Sequence, residues 1–262
     1  MQPGRGRTEG PMKRFERYVA IGDSTTEGLK DPDGSGGYRG WANRFAEHLA
    51  KHSPGLQYAN LAIRGTVARE VHEGQLAAAV ALKPDVATVV AGVNDLLRRR
   101  FDVDEVAGHL GTMFQTLKAM GTTVLTFTMP DISSVMPVAR VVRHRLLALN
   151  ARLRKRAAVN GVLLVDIAAH ALGGDPRLWD EDRLHANSLG HERIAMGLAH
   201  TAGLQGFEKW HEPLAPLPPH RLRDAARAEL FWSRTYLLPW LRDRSKSERV
   251  PKRPKLSPVE PA

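Results

Sequence analysis

Short apolar runs alternate with longer amphipathic stretches along most of this chain. The apolar runs predict buried strands at residues 17–21, 57–63, 86–90, 123–128 and 162–167. The stretches between and after them repeat apolar side chains at helical spacing, which predicts helices at residues 40–51, 66–82, 103–120, 137–159 and 188–202. Because nearly continuous apolar strands are typical of sheets buried on both faces, the pattern predicts a parallel sheet between two layers of helices.

Small or polar residues stand directly after the first three predicted strands. Ser24 follows the first strand, Gly65 the second and Asn94 the third. Right-handed crossovers bring such positions to one edge of a parallel sheet, where open α/β sheets bind their ligands. Asp182 and His185 lie three residues apart in a predicted loop. Since a serine hydroxyl needs a base to become a nucleophile, we expect these five residues to form one active site.

The composition is that of a soluble globular protein, with 42% hydrophobic and 25% charged residues among 262. This length suits one sizeable α/β domain with an appendage. The absence of cysteine excludes disulfides, thiolate metal ligands and a thiol nucleophile. Residues 1–13 lack the apolar core of a secretory signal, and no run approaches the roughly 18 apolar residues that span a bilayer. We therefore expect a cytoplasmic protein.

Charge and proline content divide the chain into five predicted parts. The net charge is +10, and residues 213–262 alone carry +6. The parts are a flexible N-terminus (1–13), the α/β domain (14–204), a proline-rich linker (205–219), a basic amphipathic helical appendage (220–244) and a disordered basic tail (245–262). The appendage is expected to dock on the domain or on a second subunit, and the oligomeric state stays open. Its basic and aromatic residues also allow weak association with a membrane surface, whereas no nucleic-acid partner is expected.

Four short motifs carry a resemblance to a known family of hydrolases. They are Gly22-Asp23-Ser24, then Gly65, then Gly92-Val93-Asn94-Asp95, and last Asp182-Arg183-Leu184-His185. In this order, over about residues 14–203, they resemble the blocks of the SGNH hydrolases, also called GDSL lipases and esterases. Thr25 stands where the name-giving leucine of that family would be. We expect this departure to affect packing beside the nucleophile rather than the mechanism.

The resemblance implies a three-layer α/β/α sandwich whose five-stranded parallel sheet has the flavodoxin-like order 2-1-3-4-5. It implies that Ser24 is the nucleophile, that His185 is the general base and that Asp182 orients this base. The donors of the oxyanion hole would be the backbone N–H groups of Ser24 and Gly65 and the side-chain amide of Asn94. The implied activity is hydrolysis of small-molecule carboxylic esters by acyl transfer, with no cofactor and no metal.

Several alternatives remain open on the sequence alone. The same machinery would serve a thioesterase, or a deacetylase of a sugar or small metabolite. A protein without activity could use the fold as a scaffold and its basic tail to bind a membrane or an acidic partner. A metal site at Asp182, His185 and His191 is a further alternative. It would leave Ser24 and Asn94 unexplained, and His191 is predicted to be structural.

The resemblance varies most in three stretches of the chain, and it implies that these stretches set the specificity of the site. They are residues 28–39, 96–101 and 131–140. Arg98, Arg99 and Arg100 would lie near the mouth of the site if Asn94 points into it. These arginines are either a solvated run, which is the more common role, or they favour a substrate with negative charge.

Overall fold

A six-stranded, mostly parallel sheet forms the centre of the protein. The computed structural model describes residues 14–216, 231–237 and 251–261. The strands are β1 (Arg17–Gly22), β2 (Gln57–Asn60), β3 (Val86–Val90), β4 (Thr123–Phe127), β5 (Leu163–Val165) and β6 (Arg253–Pro258). Their order is β5-β4-β3-β1-β2-β6, and β1 to β5 run parallel. The predicted order of the parallel strands, 2-1-3-4-5, is confirmed.

Helices cover both faces of this sheet. The α-helices are α1 (Ser24–Glu27), α2 (Gly40–His52), α3 (Ala68–Ala81), α4 (Val93–Leu96), α5 (Val103–Ala119), α6 (Arg143–Val159) and α7 (Ser188–Thr201). They form two groups, since α2 packs on α7 while α5 packs on both α3 and α6. Every residue of β3 is buried, which requires cover from both sides. The predicted α/β/α fold is therefore observed.

The sixth strand corrects the prediction of a five-stranded sheet. β6 pairs antiparallel with β2, and Pro258 lies opposite Gln57. It lies within residues 245–262, where the composition predicted a disordered tail, but Leu256 and Val259 pack against the core. Because proline has no N–H, a proline-rich segment is tolerated in a sheet only as an edge strand. The free edge of β2 supplies that position.

The helix predicted over residues 137–159 is interrupted in the structure. Residues Pro137–Val142 form a 3₁₀ turn, and α6 begins only at Arg143. No residue of the 3₁₀ turn is buried, whereas Leu146, Leu149 and Leu153 of α6 enter the core. Most of the stability of a helix in a protein comes from packing its apolar face. The α-helix therefore starts where that face meets the core.

Parts of the predicted domain organisation lie outside the described residues. These parts are residues 1–13, 217–230, 238–250 and 262, which include the predicted flexible N-terminus and most of the predicted appendage. Within the appendage, residues 231–237 are helical, with a π-helical turn over Ser233–Leu237. Within the described ranges, no helix is both long and apolar enough to cross a membrane. Apart from the disorder predicted for residues 245–262, which β6 contradicts, the division of the chain into five parts stays a prediction.

His191 ties the start of α7 to the loop that follows Ser24. Only 1% of its surface is exposed. Its Nδ1 accepts a 3.1 Å hydrogen bond from the backbone N–H of Trp41, and its Nε2 donates a 3.2 Å bond to the carbonyl of Leu29. Only a neutral ring with its hydrogen on Nε2 makes both bonds, and burial lowers the pKa of His191 to about 4. This residue serves the structure, in keeping with the sequence prediction.

Acid should destabilise the protein through His191. Between the ordinary pKa of 6.5 and about 4, the unfolded chain binds a proton at this residue and the folded chain does not. The free energy of unfolding therefore falls as the pH falls, by about 3 kcal/mol near the lower limit. Denaturant titrations over this pH range should show the loss in the wild type and not in His191→Gln, whose side chain does not titrate. The same pH dependence in both proteins would contradict the assignment.

Candidate active site

Ser24 lies at a tight junction between β1 and α1. β1 ends at Gly22, Asp23 caps α1, and Ser24 is the first residue of that helix. A side chain at Gly22 would bring its Cβ to 2.4 Å from the carbonyl oxygen of Val90 on β3, so only glycine permits this approach. Ser24 is thereby held at the carboxyl edge of the sheet, with 7% of its surface exposed.

Asp23 holds the turn that presents Ser24. Its Oδ1 accepts hydrogen bonds from the backbone N–H and the hydroxyl of Thr25, at 3.0 and 2.9 Å. Burial raises the pKa of Asp23 to about 6, although these two bonds act in the opposite direction. Thr25, which replaces the leucine of the resembled motif, uses its hydroxyl for this contact. Asp23 thus binds its own turn, and we assign it no chemical step.

Ser24, His185 and Asp182 form one hydrogen-bonded chain. The hydroxyl of Ser24 lies 3.1 Å from Nε2 of His185, and Nδ1 of His185 lies 2.8 Å from Oδ2 of Asp182. With the ring hydrogen on Nδ1, Nε2 is able to accept the proton of the serine. Burial opposes ionisation of Asp182, but its hydrogen bonds and the charge of His185 outweigh burial and hold the pKa of this carboxyl below its ordinary value.

A compact loop turns Asp182 and His185 towards each other. Oδ1 of Asp182 accepts the backbone N–H groups of Leu184 and His185, both at 2.9 Å, in a turn typical of aspartate. Between them, Arg183 has a φ of +56°, a left-handed conformation that residues other than glycine seldom adopt. Because Oδ1 binds the backbone, Oδ2 is left to bind the imidazole.

Gly65 lies in the turn after β2, and Asn94 lies on α4 directly after β3, so both follow strands that neighbour β1. Gly65 has a φ of +74°, and nothing lies within 4 Å of the position of a side chain there. Nδ2 of Asn94 donates a 2.9 Å hydrogen bond to the carbonyl of Thr66 and lies 3.4 Å from Oδ2 of Asp23. Thr66 and Asp23 are the chain neighbours of Gly65 and Ser24. The amide therefore contacts the residues next to Ser24 and Gly65, whose backbone N–H groups the resemblance implies as oxyanion donors.

Gln75 belongs to the site, and the sequence did not reveal it. Its side chain lies on α3 with 2% of the residue exposed. Oε1 accepts the backbone N–H of Gly22 and Nε2 donates to the carbonyl of Gly22, both at 2.8 Å. These bonds fix the end of β1 directly before Asp23 and Ser24. In the sequence, Gln75 is one polar residue in an alanine-rich helix, and no local signal distinguishes it from a solvated glutamine.

Among the described residues, two neighbouring cavities open beside His185. The smaller has a volume of about 140 Å³ and is lined mainly by apolar side chains, among them Trp41, Phe127 and Ile194. The larger, which we call the outer cleft, has a volume of about 680 Å³ and contacts Asp182 and His185. A substrate bound at Ser24 therefore has an apolar pocket and a larger open cleft within reach.

All three stretches that were expected to set specificity line the outer cleft. The first contributes Lys30, the second Leu96, Leu97, Arg98 and Arg99, and the third Met136, Val138 and Ala139. All three arginines of residues 98–100 are exposed, and Arg98 and Arg99 line the cleft whereas Arg100 does not.

Metal ligation finds no support in the part of the chain that the structure describes. No group of three His, Asp or Glu side chains is arranged there to hold a metal ion. His191, the third member of the alternative metal site, has both ring nitrogens bound to backbone groups.

A family model matches the greater part of the chain. Residues 20–193 match the GDSL-like Lipase/Acylhydrolase family. The chain belongs to this family. The matched range includes all five residues that the sequence predicted for the site, Ser24, Gly65, Asn94, Asp182 and His185. The protein is thus an ester-hydrolysing enzyme, which sets aside the alternative of a binding protein without activity.

Solved structures share the fold of this GDSL-like enzyme at low sequence identity. An alpha/beta hydrolase from the metagenome of Lake Arreo, Spain, is 23% identical with a TM-score of 0.61, over 74% of this chain and 98% of that one. TesA is 21% identical with a TM-score of 0.60, over 72% and 98%. A variant of an acetyl xylan esterase from Geobacillus stearothermophilus is 19% identical with a TM-score of 0.62, over 79% and 100%. No curated protein sequence matches the chain.

Replacing Gln75 should loosen the end of β1 in this GDSL-like enzyme. Gln75→Leu leaves the buried N–H of Gly22 without its acceptor, which should lower the free energy of unfolding by about 1 to 3 kcal/mol. Turnover should fall as well, because Gly22 positions Ser24. Gln57→Leu is a matched control at a half-buried glutamine, for which we expect a change within about 0.5 kcal/mol. Denaturant unfolding measures both variants, and equal stabilities would contradict the assigned role.

Proposed function

We propose that the protein hydrolyses small-molecule carboxylic esters through Ser24, His185 and Asp182. The hydrogen-bonded chain through these residues, with distances of 3.1 and 2.8 Å, carries the proposal. A serine becomes a nucleophile when a histidine accepts its proton and a carboxylate holds the histidine in the correct orientation and tautomer. The geometry around Ser24 supports these roles.

Acylation begins when Oγ of Ser24 attacks the ester carbonyl and Nε2 of His185 takes the serine proton. Asp182 keeps the ring hydrogen on Nδ1 and stabilises the imidazolium. The tetrahedral intermediate collapses when His185 gives its proton to the leaving alcohol, and an acyl-serine remains. Water then attacks the acyl-serine with His185 as the base, which releases the carboxylic acid and restores Ser24.

Three donors stabilise the negative charge of the tetrahedral intermediate in this proposal. They are the backbone N–H groups of Ser24 and Gly65, which have no acceptor among the described residues, and the amide of Asn94. Thr66 takes one hydrogen of this amide, and the other makes only the 3.4 Å contact with Asp23. Donors already in place need no reorganisation during the reaction, and such groups contribute strongly to catalysis.

The same groups would act on a thioester or remove an acetyl group from a sugar. In each case the serine attacks an acyl carbonyl, and the groups around Ser24 do not distinguish the leaving groups. A panel of aryl esters, acyl-CoA thioesters and acetylated sugars separates these activities, with Ser24→Ala as control. If the protein turned over only thioesters, or only acetylated sugars, and no other ester, the proposed substrate class of small-molecule carboxylic esters would be wrong and that class would take its place.

A fluorophosphonate probe should label Ser24 and no other serine of the native protein. The probe reacts with a serine whose proton a neighbouring base accepts, and His185 supplies this base. Ser24→Ala should lose both labelling and ester turnover while its unfolding transition stays cooperative. Ser35→Ala, at an exposed serine of the loop after α1, should retain both. Labelling that persists in Ser24→Ala would contradict the proposal.

Removing the amide of Asn94 should slow the reaction without preventing substrate binding. Asn94→Ala is expected to lower kcat by roughly 100- to 1000-fold, as the loss of one oxyanion donor does elsewhere. KM should change little, because the charge that the amide stabilises develops only in the transition state. Steady-state kinetics on one aryl ester test this. A rise in KM with unchanged kcat would assign Asn94 to substrate binding instead.

A further inference from the structure

One side of the outer cleft is formed by a part of the chain beyond the family match. The match ends at residue 193, whereas Trp232 and Tyr236 line the cleft from residues 231–237. The 3₁₀ turn Pro137–Val142 lines the cleft as well. Side chains from outside the matched region thus contribute to the space beside His185.

Two side-chain contacts hold this segment against the loop that carries Asp182. The guanidinium of Arg183 lies 4.8 Å from the centre of the Trp232 ring, a cation–π contact. The hydroxyl of Tyr236 donates a 2.6 Å hydrogen bond to Glu181. Glu181 and Arg183 are the chain neighbours of Asp182. The two aromatic rings are therefore fixed directly at the candidate active site.

The segment buries one aromatic side chain and exposes its neighbour. Trp232 has 5% of its surface exposed, whereas Phe231 has 66%. Trp232 lines the outer cleft and Phe231 does not. Phe231 is therefore a matched control for an aromatic side chain on the same segment.

Solvent-exposed valines also line the cleft. Val138 and Val141 have 43% and 71% of their surfaces exposed. An alkyl chain in the cleft would cover these valines and contact the Trp232 ring, which removes apolar surface from water. An acetyl group brings a single methyl and gains little from such contacts.

We infer that Trp232 and Tyr236 are specificity-determining residues that select esters with an extended alkyl chain over esters whose acyl and alcohol groups are both short. This inference rests on the proposed ester hydrolysis at Ser24. The volume of about 680 Å³ lies within the range of small-molecule sites, and the lining is largely apolar. The substrate class is an ester with a medium or long alkyl chain, on the acyl or the alcohol side.

Two series of esters test the inference on the full chain. One varies the acyl group of p-nitrophenyl esters from acetate to decanoate, and the other varies the alcohol of acetate esters from methyl to decyl. In at least one series, Trp232→Ala and Tyr236→Ala should lower the ratio of kcat/KM for the longest to the shortest substrate by about tenfold or more. Phe231→Ala should keep the wild-type ratio. The series that responds identifies the side of the ester that occupies the cleft.

The ratio of kcat/KM for the longest to the shortest substrate shows whether Trp232 and Tyr236 select the substrate or only support the fold. A variant that merely weakens the fold loses activity on all chain lengths alike, and such a uniform loss, or an unchanged ratio, would overturn the inference. Tyr236 is half-buried, so Tyr236→Ala decides the matter if Trp232→Ala does not fold. A wild type that hydrolyses no ester at all would instead refute the proposed function.

Discussion

The docking of α7 beside the loop after Ser24 is the constraint on which the candidate site depends. His185 lies three residues before the start of α7 and 161 residues after Ser24 in the chain. Their 3.1 Å contact exists only while α7 stays in place on α2. His191 holds it there through hydrogen bonds to the backbone of Trp41 and Leu29. Because these partners are backbone groups, the bonds of His191 do not depend on the rotamer of a partner side chain.

A buried ionic network reinforces the same contact. Asp31, with 1% of its surface exposed, accepts two bonds from Arg44, at 2.8 and 3.0 Å, and one of 2.6 Å from the hydroxyl of Ser188. Arg44 also donates a 2.8 Å bond to Glu192 of α7. Burial opposes ionisation of Asp31, but Arg44 and Ser188 outweigh it and keep the pKa of Asp31 below its ordinary value. Removal of one partner would leave a buried charge unpaired, so the network resists partial disruption.

The sequence predicted the strands, helices and motifs that short local patterns reveal. The structure added the features that depend on contacts between residues far apart in the chain. Apolar runs that end in glycine turns are visible within a few residues, so the parallel strands and their carboxyl ends could be placed. The spacing of Asp182 and His185 is local in the same way. Gln75 could not be recognised, because only the folded sheet shows that its amide meets Gly22. The alternation of apolar residues that marks a strand is missing from β6, whose prolines instead suggested disorder. The appendage that includes Trp232 was expected to dock on the domain or on a second subunit, but the place of Trp232 beside the cleft follows from tertiary contacts alone.

During synthesis, β2 leaves the ribosome long before β6. About 190 residues separate the two strands, and translation at roughly 5 to 20 residues per second makes that interval roughly 10 to 40 s. Throughout this time the unpaired N–H and C=O groups along β2 form an open template on which another chain can add a strand. Until β6 emerges and pairs with β2, this edge of the sheet is therefore open to pairing with another chain.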